Sequence, residues 1–202
     1  MDLVVIALTF GAIFVVELPD KTFIATLVLS TKFRPILVWI GVGLAFAVQT
    51  VVAVALGKVA GLLPDDVIHV ATTLMFLIGA AILLRTAGSA DEDEAESESE
   101  YAAKVTASST TGALTAIGTS FVVLFAAEWG DLSQLLTLSL VAKYDDPVSV
   151  FVGAWGALLA VSGLAVILGR FLLKHVRLSV LHYVGASVCV LMAGLAVWEL
   201  LR

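Results

Sequence analysis

Four acids stand in stretches that otherwise carry little charge: Glu17 and Asp20 within ELPDKT, and Glu128 and Asp131 within EWGDLSQ. A carboxylate at the centre of a membrane helix costs about 2.5–3.5 kcal/mol even on the lowest scale, so four of them need compensation. The three-residue spacing would put each pair about 60° apart on one face of a helix. Polar companions follow within a turn, Thr22 in the first stretch and Ser133 and Gln134 in the second. Carboxylate, hydroxyl, amide and carbonyl oxygens form a hard ligand set that suits calcium and manganese(II), and magnesium less well because it holds its water. Neither stretch contains cysteine or histidine, which argues against zinc and copper. Lys21, four residues after Glu17, lowers the fully ionised charge from −4 to −3, and a divalent ion would leave −1. An empty site of that charge takes up protons instead. Metal and protons then exclude one another, which is the physical basis of antiport. A Glu17–Lys21 pair alone would read as a structural tie between helix turns. The second pair of acids, with Leu132 where a lysine would match, is not explained that way.

The elements that must hold these acids are strongly apolar. The 202 residues are 60% hydrophobic and 14% charged, against roughly 45–50% and about 25% in soluble domains, and the mean hydropathy is +1.08. Seven of the 17 acids crowd into residues 91–100. This profile excludes a disordered chain and a basic nucleic-acid binder, and a single cysteine, Cys189, excludes a disulfide framework. Apolar runs cover 3–31, 36–56, 67–84, 112–142, 148–168 and 178–201, each near or above the roughly 18–20 residues that cross a bilayer. The expectation is an all-α membrane protein with six transmembrane helices. The first and fourth runs are too long for one straight span, since 29 helical residues reach about 43 Å against a core of about 30 Å. Both are interrupted by their acids, so a tilt or break is expected there, with Pro19 and Gly130 at matching places inside the interruptions. No basic leader or cleavage site precedes the first run, which reads as a retained span.

An internal repeat organises the chain. Residues 17–33 align without a gap to 128–144: Glu17, Asp20, Thr26, Leu27, Leu29 and Lys32 meet identical residues, and Thr22 meets Ser133. After a one-residue insertion Pro35 meets Pro147, Gly41 meets Gly153 and Gly57 meets Gly169. The predicted organisation is a three-helix repeat at 1–86, an acidic linker at 87–111, and a second three-helix repeat at 112–202. Three is odd, so the second copy enters the membrane from the opposite side, as two inverted repeats. Loops after odd-numbered spans hold Lys32, Arg34, Arg85, Lys104, Arg170, Lys174 and Arg177, whereas the other side holds Lys58, Lys143 and Arg202. That bias predicts a multi-pass protein of the cell (plasma) membrane, with the acidic linker in the cytoplasm and both termini outside. A pseudo-two-fold axis in the membrane plane would bring the two acidic pairs together near the midplane.

ELPDKT and EWGDLSQ resemble the paired Glu-x-Gly-Asp-(Lys/Arg)-(Thr/Ser) motifs of the membrane family that includes human transmembrane protein 165, its yeast and plastid relatives and bacterial manganese exporters. The resemblance covers essentially the whole chain. It implies a cation/proton antiporter for manganese and calcium. Carried over by motif, the ion ligands are Glu17, Asp20, Glu128 and Asp131, supported by Lys21, Thr22, Ser133 and Gln134. Pro19 stands where the family has glycine, and Leu132 where its second motif has a base.

The function expected is therefore secondary-active export of a divalent cation, Mn2+ first and Ca2+ second, in exchange for protons. The metal is cargo, and no resident cofactor, nucleic-acid partner or enzymatic activity is expected; the partners are divalent ions, protons and the lipid bilayer. The alternative is export of an amino acid or small organic cation, though the aromatic lining such cations favour is missing. An intramembrane protease lacks its motif, and a channel would differ by flux that ignores the proton gradient. His69 and His182 lie at equivalent places near the starts of the third and sixth spans; proton relay is one role for them, and simple wetting at the interface another. Residues 91–100 read as a solvated linker, Trp39, Trp155 and Trp198 as interfacial anchors, and Gly41, Gly43, Gly153 and Gly156 as places of close helix approach.

Overall fold

The computed structural model describes residues 1–18, 20–89, 99–101, 112–175 and 178–200. Pro19, nearly all of the acidic run, Lys104, Arg177 and Arg202 lie outside the described residues. Among the described residues the chain is all-helical, with no strand. The helices are α1 (Leu3–Glu17), α2 (Lys21–Lys32), α3 (Pro35–Ala60), α4 (Asp65–Thr86), α5 (Ala113–Ala127), α6 (Leu132–Tyr144), α7 (Pro147–His175) and α8 (Leu178–Leu200). Three of them, α3, α4 and the 147–168 stretch of α7, are long and apolar enough to cross a bilayer singly. The pairs α1–α2 and α5–α6 pass that test jointly, each as one bent unit, which makes up to five spans. The apolar part of α8 among the described residues, His182–Trp198, is shorter. This is a multi-span helical membrane protein. Its outer surface suits lipid: Ile36, Leu44, Val48 and Val51 on α3 are all exposed.

The two over-long apolar runs break where their acids lie. The axes turn by 71° between α1 and α2 and by 74° between α5 and α6. One reason is capping, since the aspartate of each pair serves as the N-cap of the helix that follows. Asp20 accepts from the Lys21 N–H at 2.6 Å, and Asp131 accepts from the Gln134 N–H at 2.9 Å. The second break also uses Gly130, whose φ of +79° is open to glycine at little cost. Both acidic pairs therefore straddle a corner, with Glu17 ending α1 and Glu128 capping the end of α5. This corrects the expectation that each pair shares one helix face: an i,i+3 spacing says nothing of a face once the helix stops between the two residues.

Proline opens both long helices that follow, Pro35 at the start of α3 and Pro147 at the start of α7. Asp146 steadies the second of these, its carboxylate accepting from the Ser149 N–H at 3.0 Å and hydroxyl at 2.5 Å. The Ser149 hydroxyl in turn accepts from the Asp2 N–H at 2.7 Å, tying the start of α1 to the start of α7. These hydrogen bonds hold the half-buried Asp146 carboxyl below its usual range. The helices α3 and α7 cross at the centre and each packs against the other half of the chain, α3 on α5 and α6, α7 on α1 and α2. Trp39 donates to the Leu159 carbonyl and Trp155 to the Gly43 carbonyl, both at 3.0 Å, so these indoles lock α3 to α7. Trp39 and Trp155, expected as interfacial anchors, thus tie helix to helix, whereas Trp198 and Trp129 are exposed. Gly41 lies against the Ile117 carbonyl and Ser120, and Gly153 against the Ile6 carbonyl and Thr9. Phe10 stacks on Phe14 and Phe121 on Phe125, at 5.6 and 5.5 Å between ring centres.

Candidate ion site

The crossing of α3 and α7 sets the two corners face to face. One carboxylate oxygen each from Glu17, Asp20, Glu128 and Asp131 lies within 4.8 Å of the other three. Oxygen ligands at about 2.3–2.6 Å from a calcium-sized ion place opposite oxygens about 4.6–5.2 Å apart, so a single ion can touch all four. Glu17 is 1% exposed and Glu128 4%, which leaves water little part in solvating them. Asp20 and Asp131 are half-buried. Both Glu17 carboxylate oxygens and one of Glu128 make no hydrogen bond. Buried polar atoms seldom stay unpartnered, and orphaned acceptors facing one another call for a cation or protons.

The supporting residues divide into two groups. Ser133 donates its hydroxyl to Asp131 at 2.7 Å, and its side chain also faces Glu17 across the corner. Gln134 accepts from the Gly130 N–H at 2.9 Å. The Thr22 hydroxyl is buried facing Glu128, without a hydrogen bond. Lys21 stands apart: its side chain is exposed, and it acts on Asp20 through its charge and its backbone N–H. Its ammonium is not a fifth member of the cage. His182 of α8 is buried and within electrostatic reach of Asp20, whereas His69 of α4 is half-buried, its Nδ1 unpartnered.

Two neighbours of the site escaped the sequence reading. Gln49 of α3 is buried and donates its Nε2 to the Phe125 carbonyl at 3.1 Å, one of the carbonyls that the end of α5 leaves unpaired. Its backbone carbonyl accepts from the Gln134 Nε2 at 3.5 Å, which ties α3 to the second corner. A lone glutamine inside an apolar helix was the available signal. Tyr101, directly after the acidic run, is 5% exposed within the main apolar core and is not solvated as the linker was expected to be. Burial first, then the nearby charges of Glu128, Glu100 and Asp20, pushes its phenol up to about 12.

A membrane-embedded helical bundle that gathers four acids from two broken helices belongs to the class of ion-handling membrane proteins. The sequence comparisons make the class specific. The family of the divalent cation/proton antiporter GDT1 matches over residues 5–91 and over 116–202, and the chain belongs to that family, one of transporters and not of enzymes. It is 28% identical to GDT1-like protein 1, chloroplastic, of Oryza sativa, over 97% of this chain and 62% of the relative. It is 30% identical to Protein PAM71, chloroplastic, of Arabidopsis thaliana, over 96% of this chain and 56% of the relative. A protein of Vibrio cholerae named "Putative manganese exporter" is 29% identical over 94% of this chain and 88% of its own length. The chain thus spans about six tenths of the length of the plant relatives. It matches no solved structure.

Proposed function

We propose that this protein is a secondary-active antiporter that exports a divalent cation in exchange for protons, with Mn2+ the preferred cargo and Ca2+ the second. The observation that carries the reading is the convergence of four acids, two of them almost fully buried and left with orphaned oxygens. Four such carboxylates cannot all stay charged without a cation among them. A divalent ion meets that need, and protons meet it when the ion leaves. The hard oxygen donors favour manganese(II) and calcium over softer metals.

In this reading Glu17, Asp20, Glu128 and Asp131 ligate the ion, Ser133 and Gln134 orient Asp131 and the second corner, Thr22 faces Glu128, and Lys21 tunes Asp20 from outside the cage. The chain is then two inverted three-helix repeats, 1–86 and 112–202, joined by the cytoplasmic linker 87–111, with both termini outside the plasma membrane. Matched corners, matched phenylalanine stacks and the matched approaches of Gly41 and Gly153 support the repeat, as does a family match that falls once in each half. Alternating access would come from rocking one repeat against the other around the shared acids.

The test is uptake of Mn2+ and of Ca2+ into proteoliposomes with and without an imposed pH gradient. Flux that rises with an opposing proton gradient is the expected result. Flux that ignores the gradient would make the protein a channel, and no divalent flux at all would overturn the ion-site reading.

A further inference from the structure

The two corners occupy matching positions in the repeat and keep matching hydroxyls, Thr22 for Ser133, Thr26 for Thr137 and Ser162 for Thr50, but they differ where the second corner has its two glutamines. At the second corner a small cleft between α3, α6 and α7 touches Glu128 and Asp131; Gln49, Thr50, Ala53, Gln134 and Thr137 line it, all but the half-buried Gln134 being buried. By the sequence alignment the counterparts of Gln134, Gln49 and Ala53 are Phe23, Val161 and Ala165. Those three form an apolar cluster of their own between α2 and α7, with exposures of 1%, 2% and 0%, and Phe14 and Leu18 pack against it. Two glutamines on one side thus answer a phenylalanine and a valine on the other.

We propose that the α3–α6 cleft is the route by which the divalent cation reaches the four acids, with Gln49 a specificity-determining residue along it, and that the Phe23–Val161–Ala165 cluster closes the equivalent route at the first corner. This rests on the antiport reading of the acids. A cation leaving water needs oxygen ligands in stages, and the cleft supplies them. Thr50 donates its hydroxyl to the Phe46 carbonyl at 2.7 Å and Thr137 to the Ser133 carbonyl at 2.8 Å, so both hydroxyls face other partners as acceptors only. Gln49 spends its amide N–H on the Phe125 carbonyl, which leaves its Oε1 as the acceptor for a cation. At the first corner Phe23 and Val161 replace both amides and leave only the hydroxyls of Thr22, Thr26 and Ser162, and an apolar constriction of that kind excludes a hydrated ion by dewetting.

Two measurements test the proposal. In a Cys189→Ala background, Ala53→Cys and Ala165→Cys are exposed to a water-soluble methanethiosulfonate. Ala53→Cys should react at least about ten-fold faster and be slowed by Mn2+, since only its side of the site is wetted. Equal rates, or the reverse order, would overturn the assignment of the route. In proteoliposomes, Gln49→Val should cut proton-coupled Mn2+ flux about ten-fold, and Gln49→Glu, which keeps an oxygen at that place but loses the amide donor, should restore at least about a third of it. Unchanged flux in Gln49→Val would remove Gln49 from the path, and no recovery in Gln49→Glu would leave it only the brace of the Phe125 carbonyl. Failure of the underlying reading looks different: the wild type itself would then show no proton-coupled Mn2+ flux.

Discussion

At each corner a glutamate ends one helix and an aspartate starts the next, but the two corners are held by different means. The second is braced by polar groups: Gly130 donates to Gln134, Gln134 and Ser133 donate to Asp131, and Gln49 donates to the free carbonyl of Phe125. Among the described residues the first has the Asp20 cap and the backbone bonds from the Asp20 N–H to the Glu17 carbonyl at 3.0 Å and from the Phe23 N–H to the Asp20 carbonyl at 3.1 Å, with Phe23, Leu18 and Phe14 packed against α7. Nearly equal bends, of 71° and 74°, are thus reached with polar bonding in one copy and apolar packing in the other. The two copies of the sequence repeat share the four acids and differ in their flanks. If the acids hold the ion as proposed, unlike flanks would make the two routes to it energetically unequal.

The largest effect should come from the shared feature. Glu17→Gln and Glu128→Gln each remove one charged ligand from a four-acid cage, and each should lower Mn2+ affinity by about 100-fold and abolish gradient-driven flux. Equilibrium Mn2+ binding in detergent and flux in proteoliposomes measure the two parts. Equal losses from the two variants mean one site made jointly by both corners. If one variant keeps near-normal binding, the corners hold separate ions and the cage is not a unit.

How far this site was legible in the sequence depends on which residues are asked about. The breaks were visible because an apolar run of 29 residues exceeds the membrane and carries acids in its middle. The convergence of the acids was visible through the repeat alone, since pairing of halves does not depend on local conformation. Placing each pair on one helix face failed because spacing was read with helical periodicity across a point where helix ends. Aspartate favours N-caps, and that preference, together with Thr22 and Ser133 just beyond, was the overlooked signal. Gln49 could be placed only by assembly: nothing local says that a glutamine on α3 meets the end of α5, some 76 residues away. Tyr101 was hidden by its neighbours, since an acidic run reads as solvated whatever follows it.

Helix packing offers a second, smaller test of the likeness between the corners. A Cβ on Gly41 would collide with the Ile117 carbonyl and come within 2.9 Å of the Ser120 Cβ; on Gly153 it would lie 2.7 Å from the Ile6 carbonyl and 2.9 Å from the Thr9 Cβ. Backbone carbonyls inside a packed helix pair have little freedom to move aside, so Gly41→Ala and Gly153→Ala should each cost about 1–3 kcal/mol. Thermal unfolding in detergent, with Gly118→Ala as the reference for a site where a methyl meets nothing within 4 Å, would show it. Matched losses sharpen the equivalence of the two interfaces. A loss confined to one glycine would mean that α3 on α5 and α7 on α1 carry unequal shares of the assembly.

The smallest effect isolates the polar bracing itself. Gly130 holds φ at +79° with nothing within 4 Å of where a Cβ would stand, so a substitution there meets backbone strain and no collision. Gly130→Ala should therefore destabilise by about 1 kcal/mol, and Gly130→Asn by less, because asparagine tolerates the left-handed region better. Both variants keep the N–H that donates to Gln134, and the corner should stay formed with Mn2+ binding little changed. Unfolding temperatures of the two variants, compared in the same detergent, measure the strain. A cost well above this, or one that asparagine does not relieve, would mean that Gly130 is needed for something other than its φ. The second corner would then depend on a tighter contact than its hydrogen bonds to Gln134 and Asp131 account for. If alanine costs nothing, the turn is relaxed without glycine, and Gln49, Ser133 and Gln134 alone set the 74° bend that faces Glu128 toward Glu17.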